Sequence, residues 1–132
     1  MLLAAVEHLS TLPKRSYEII VIDDCSSDDT SQTALKFAAA HPTVDLRVVT
    51  FEKNRQKGGA VQHGALHTRG ERVLMVDADG ASRFQDLERL WERLDEVQSG
   101  GQGVAVGSRA HMVKSAAVVK VRRGGCPLHD RL

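Results

Sequence analysis

Tyr17-Glu18-Ile19-Ile20-Val21-Ile22-Asp23-Asp24 is a continuous apolar, β-branched run that stops at two carboxylates. A strand with one wet face would alternate apolar and polar residues. This one does not alternate, so it reads as a strand buried on both faces. Strands of that kind belong to mostly parallel sheets covered by helices.

The neighbouring segments fit the same scheme. Residues 2–12 read as a short helix with Leu2, Val6 and Leu9 as its apolar positions. Cys25-Ser26-Ser27-Asp28-Asp29-Thr30 is a loop rich in helix-capping residues, and 30–40 then read as a helix. Leu46-Arg47-Val48-Val49-Thr50-Phe51 predicts a second strand, and Gly58-Gly59 opens a helix running to about Arg69. Glu71 to Val76 predicts a third strand. Phe84 to Val97 predicts an amphipathic helix with Leu87, Leu90, Trp91 and Leu94 on one face. Gly103 to Val106 predicts a fourth strand, stopping at Gly107-Ser108-Arg109. Alternating helices and strands with short loops predict an α/β domain, a mostly parallel sheet with helices on both faces. Ligands of such sheets bind beyond the carboxyl ends of the strands. Residues 1–111 form this part. Residues 112–132 change character to a basic, then glycine-rich tail without a clean period, expected to pack poorly.

Composition excludes several classes. The 132 residues suffice for one core, with 42% hydrophobic and 27% charged residues, as in ordinary globular domains. A formal net charge of +1 points to neither nucleic acid nor an anionic membrane. No apolar stretch approaches the roughly 20 residues of a membrane span. Met1-Leu2-Leu3-Ala4-Ala5-Val6 is too short and lacks the basic start of a signal peptide. Cys25 and Cys126 are far apart without metal or disulfide spacing, which suits a reducing compartment.

Two constellations carry chemistry. Val73-Leu74-Met75-Val76-Asp77-Ala78-Asp79-Gly80 ends an apolar run with two carboxylates one residue apart. In an extended chain Asp77 and Asp79 can face one cleft, and hard oxygen ligands there suit Mg²⁺ or Mn²⁺ carrying a diphosphate. Lys53-Asn54-Arg55-Gln56-Lys57-Gly58-Gly59-Ala60 places three cations and two glycines before a helix, where backbone N–H groups favour an anion. Alone, the first reads more readily as a strand running into an acidic turn, and the second equally as a solvated basic loop. Set opposite each other they favour a phosphate reading, since metal plus cations stabilises a departing diphosphate. A carboxylate at Asp23-Asp24 can accept hydrogen bonds from a base N–H or a ribose hydroxyl, or cap a helix, as Asp28 and Asp29 are expected to do. His63 and His67 have helical metal spacing but lack the glutamate of HExxH, so a zinc site is not expected. Cys25 has no histidine base beside it and reads as structural or incidental.

With these residues assembled, the chain resembles the family 2 inverting glycosyltransferases of the GT-A fold, within them the dolichyl-phosphate β-glucosyltransferases of the endoplasmic reticulum. The matching pieces are Tyr17 to Ser26, Lys53 to Ala60, Arg69-Gly70-Glu71, Met75-Val76-Asp77-Ala78-Asp79-Gly80-Ala81 and Gly107-Ser108-Arg109-Ala110-His111, spread over roughly residues 1 to 120. The resemblance implies an incomplete GT-A fold and a nucleotide-sugar site made by Asp23, Asp24, Lys57, Gly58, Asp77 and Arg109. In it, Asp24 contacts the uracil or ribose of UDP-glucose. Asp79 binds Mg²⁺ or Mn²⁺, with Asp77 on the metal or the ribose. Lys57 lies near the nucleotide, and Arg109 on the sugar–diphosphate side. The implied acceptor is dolichyl phosphate, used for protein N-glycosylation at the cytosolic face of the endoplasmic reticulum membrane.

The departures are specific. The family usually has glycine where this chain has Cys25 and Gln56, and both loops then lose backbone freedom. The family's first strand, its nucleotide loop and its membrane anchor fall before Met1. Its base aspartate, acceptor-binding residues and membrane-associated helices fall beyond Leu132. The chain is therefore expected to be a fragment, soluble by itself and inactive alone. Two other readings stand beside this one: a phospho-receiver signalling domain using Asp24 and Asp77, and a non-catalytic nucleotide-binding remnant. The receiver reading leaves Asp79 and the Lys57-Gly58-Gly59 loop unexplained.

Overall fold

The computed structural model describes residues 1–12 and 15–108 and the backbone of 118–122. The chain divides into two units, Met1–Ser82 and Arg83–Leu132.

In the first unit, α1 (Leu2–Ser10) precedes strand β1 (Ile19–Asp23), helix α2 (Thr30–Ala40), strand β2 (Leu46–Thr50) and helix α3 (Gln56–Leu66). β1 and β2 pair in parallel, with Ile19 opposite Leu46 and Asp23 opposite Thr50. Two strands joined through a helix make the crossover connection that parallel pairing requires. Successive strand residues point to opposite faces, so Ile22 and Asp23 do too. The Gly64 backbone of α3 approaches Ile22 so closely that a Cβ there would sit 3.2 Å from Ile22 Cγ1. Ser31 of α2 bonds Asp23 on the other face. The two helices thus cover opposite faces, as an α/β layer demands.

α3 starts two residues earlier than the glycines suggested, so Gly58 and Gly59 lie inside its first turn. Gly59 is needed there, because a Cβ would fall 2.6 Å from Arg55 Cβ. The helix stops at Leu66 rather than near Arg69. The N–H groups of His67 and Thr68 close a tighter turn on Gly64 and Ala65, and that of Arg69 leaves the helix for Glu18 Oε1 at 2.6 Å.

The predicted strand over Glu71–Val76 does not form. The segment runs without a ladder, and Val73, Leu74 and Met75 are exposed. Extended backbone becomes a strand only where a neighbour takes its N–H and C=O groups. Among the described residues no strand does so here.

In the second unit a single 3₁₀ turn (Phe84–Asp86) leads into α4 (Leu87–Val97), followed by β3 (Val104–Ser108) and β4 (Val118–Arg122). Leu87 is buried, and Leu90, Trp91 and Leu94 are half-buried along the expected face of α4. β3 forms where the fourth strand was predicted, but its partner is β4, and the pair is antiparallel. The tail region gave no strand signal because Val118–Arg122 is short and followed by glycines. Pairing with β3, not local pattern, makes it a strand.

Few side chains are deeply buried. Ala5, Ala34, Phe51, Leu87 and Asp23 form that set among the described residues. No described helix is long and apolar enough to cross a membrane.

Candidate functional site

The site is built at the carboxyl ends of β1 and β2. Asp23, the last residue of β1, is buried at 3% exposure. Its Oδ1 accepts the Ser26 N–H at 2.9 Å, and its Oδ2 accepts the Ser31 hydroxyl, which also contacts Thr50 Oγ1 at 2.7 Å. Hydrogen bonds from Ser26 and then Ser31 hold its carboxyl below the ordinary aspartate range. Asp23 therefore faces inward and ties the loop after β1 to α2 and β2.

Asp24 takes the other role. Its Oδ1 accepts the backbone N–H of Arg55 at 2.6 Å, across a sequence gap of 31 residues. This bond joins the end of β1 to the residue preceding α3. Asn54 Oδ1 accepts the N–H of Gln56 at 3.0 Å and completes the entry to the helix. The remaining N–H groups of a first helical turn have no acceptor inside the helix, which favours an anion at that end. Gly58 leaves open space where a Cβ would stand.

The Asp-x-Asp meets this helix start. Lys57 Nζ donates to Asp77 Oδ2 at 2.8 Å, with side chains 64% and 50% exposed. An ion pair this wet contributes only about 0.2–1 kcal/mol, so an incoming phosphate can displace it. Asp79 Oδ1 accepts the N–H of Ala81 at 2.8 Å in a turn made by Gly80 at φ +77°. Asp24, Lys57, Gly58 and Asp77 are thus linked through the 55–57 segment, with Asp79 two residues on. Arg109 lies outside the described residues.

Sequence reasoning overlooked a cluster beside this loop. The Arg55 guanidinium lies over the Phe51 ring at 5.5 Å, and its Nη1 is 2.9 Å from His63 Nε2. The Phe51 and His63 rings meet edge-on at 4.9 Å. The only hint in the sequence was the placement of Arg55 among the loop cations. His63 packs on Phe51 and hydrogen-bonds Arg55. Among the described residues no group of three or more His, Cys, Asp or Glu side chains could hold a metal ion. Cys25 is a free, exposed thiol, and its Sγ lies 3.6 Å from the Glu52 carbonyl oxygen. Cys126 lies outside the described residues.

Residues 1–116 match the family described as Glycosyl transferase family 2. The chain belongs to glycosyl transferase family 2. It is 44% identical over 119 residues to the dolichyl-phosphate beta-glucosyltransferase of Homo sapiens, covering 83% of this chain and 37% of that protein. To the protein of the same name in Saccharomyces cerevisiae it is 39% identical over 130 residues, covering 91% of this chain and 39% of that one. The Drosophila melanogaster protein of that name is 39% identical over 110 residues, covering 82% and 34%. The chain thus spans well under half the length of these curated relatives. No solved structure matches. Family 2 membership agrees with a parallel pair of strands under helices, and it leaves the phospho-receiver alternative without support.

Proposed function

We propose that this chain carries the donor site of a glucosyltransferase that moves glucose from UDP-glucose to dolichyl phosphate. The observation that carries the reading is the 2.8 Å contact between Lys57 and Asp77. It lays the basic start of α3 against the Asp-x-Asp, the juxtaposition a metal-bound diphosphate needs. The relatives' names supply the acceptor and the sugar.

In this reading Asp24, held by the Arg55 N–H, offers its second oxygen to the base or ribose of the nucleotide. Lys57 leaves Asp77 for a diphosphate oxygen, and Gly58 lets the helix backbone approach it. Arg109 serves the sugar–diphosphate side. The lipid phosphate attacks the anomeric carbon in line, the bond to UDP breaks, and Lys57 stabilises the charge on the departing UDP.

Asp77 and Asp79 would hold Mg²⁺ or Mn²⁺, which when bound adds positive charge beside the diphosphate. The donor set fits such an ion. Mg²⁺ keeps several waters and needs only one or two carboxylates plus substrate phosphates. With no third His, Cys, Asp or Glu ligand beside them among the described residues, the ion is expected to arrive with the nucleotide. Because dolichyl phosphate is a lipid, the reading also places the reaction at a membrane.

Titration calorimetry tests the donor site. UDP should bind the folded chain at least tenfold more tightly with Mn²⁺ than without, and Asp79→Ala should remove the difference. Equal affinity in the two conditions would reject the metal assignment, and no UDP binding by the folded chain would reject the donor site.

A further inference from the structure

Arg55 is joined to three side chains at once. Its backbone N–H is held by Asp24 and its guanidinium by His63 and Phe51. A guanidinium can only donate, so His63 Nε2 must accept, and the proton of the neutral ring then sits on Nδ1. A protonated His63 has no acceptor to offer and sets a cation 2.9 Å from another cation. The half-buried ring, wedged against Phe51, cannot turn away without giving up that packing.

We propose that neutral His63 is a positioning residue for the 53–57 loop, and that its protonation releases Arg55 from Asp24 and so loosens the donor site. The inference rests on the donor-site reading for its consequence, but not for the contact itself. The surrounding titratable groups do not compete for the role. α3 packs on β1, whose end carries Asp23 and Asp24. Asp23 is committed to Ser26 and Ser31, and Asp24 to Arg55. On α3 itself Lys57 is paired with Asp77, and His67 lies one turn beyond, its carbonyl oxygen accepting from Arg47. Carboxylates ordinarily titrate near pH 4, whereas histidine changes charge between about pH 5 and 8, so the two are separable.

The test follows amide exchange by NMR on the ¹⁵N-labelled chain from pH 7.5 to 5.5, corrected for intrinsic exchange. Protection of the Arg55 amide should fall at least tenfold, in step with the His63 imidazole signal. The Arg69 amide, held by Glu18 at 2.6 Å, should not change, which shows that the fold persists. His63→Gln keeps an acceptor that does not titrate, so its Arg55 protection should be flat with pH. Constant Arg55 protection in the unaltered chain, or the same loss in His63→Gln, would overturn the proposal. If His63→Gln fails to fold, the profile of the unaltered chain decides. UDP affinity, read at both pH values, should fall with Arg55 protection. Absence of UDP binding at either pH would end the donor-site reading and leave the exchange profile to judge the positioning role.

Discussion

Cys25 at φ +66° and Gln56 at φ +61° are the two non-glycine residues with left-handed backbone among those described. They are also the two positions where the resemblance leads one to expect glycine. Each stands beside one end of the Asp24–Arg55 bond, so the chain must take both turns to bring the end of β1 to the start of α3. A side chain in this region costs about 1–2 kcal/mol. Replacing it with glycine returns roughly 0.4–1 kcal/mol of that as extra freedom of the unfolded chain. Cys25→Gly and Gln56→Gly should each stabilise the fold by about 1 kcal/mol, seen as a higher urea midpoint. The double variant should depart from additivity, because the two turns share one hydrogen bond. Unchanged midpoints in both single variants would mean that other contacts absorb the strain. The same argument separates the two adjacent aspartates. Both end an apolar run and look alike in the sequence, yet alternation sends Asp23 to the α2 face and leaves Asp24 for the loop of α3.

The elements are held at their other end by a charge network. Glu18, just before β1, accepts from Arg47 of β2 and from the N–H and Nε of Arg69 after α3, and Arg69 also bonds Asp45, just before β2. The Arg69 N–H, then the guanidinium groups of Arg47 and Arg69, lower the Glu18 carboxyl from 4.5 to about 2. A carboxyl with a lower pKa folded than unfolded stabilises the fold above the unfolded value, and this contribution is lost as pH falls through the folded one. The thermal midpoint should therefore be level above about pH 5 and fall between 4.5 and 2. Asp23, shifted in the same direction, adds to the fall. Glu18→Gln should lower the midpoint at pH 7 and flatten the acid limb, as followed by circular dichroism. An acid limb as steep as in the unaltered chain would assign the loss to other carboxyls. This network also explains why α3 ends early, since Arg69 is drawn to Glu18 instead of continuing the helix.

For the molecule as a whole, the first unit shows two parallel strands and little deep burial, with Val73, Leu74 and Met75 at 58%, 40% and 52% exposure. Three consecutive exposed apolar residues are a site for self-association. Sedimentation velocity should show association that grows with concentration, and Met75→Lys should reduce it. Equal association in the variant would point to another surface. Much of this protein was determined by its sequence alone. The β-branched run Ile19–Ile22 and the period of α4 specify their elements locally, and parallel pairing follows from a helix between two apolar strands. The residue types of the candidate site were legible for a similar reason: carboxylates beyond a strand and cations before a helix keep their character in any fold. Tertiary structure alone decided the contacts between segments beyond that pair. Whether Glu71–Val76 becomes a strand, whether β3 pairs with β4, which of two neighbouring aspartates turns inward, and that His63 holds Arg55 all depend on what stands a few ångströms away. A hydrogen bond or a packed ring needs its partner in place, and the spacing of residues along one segment does not contain the position of another.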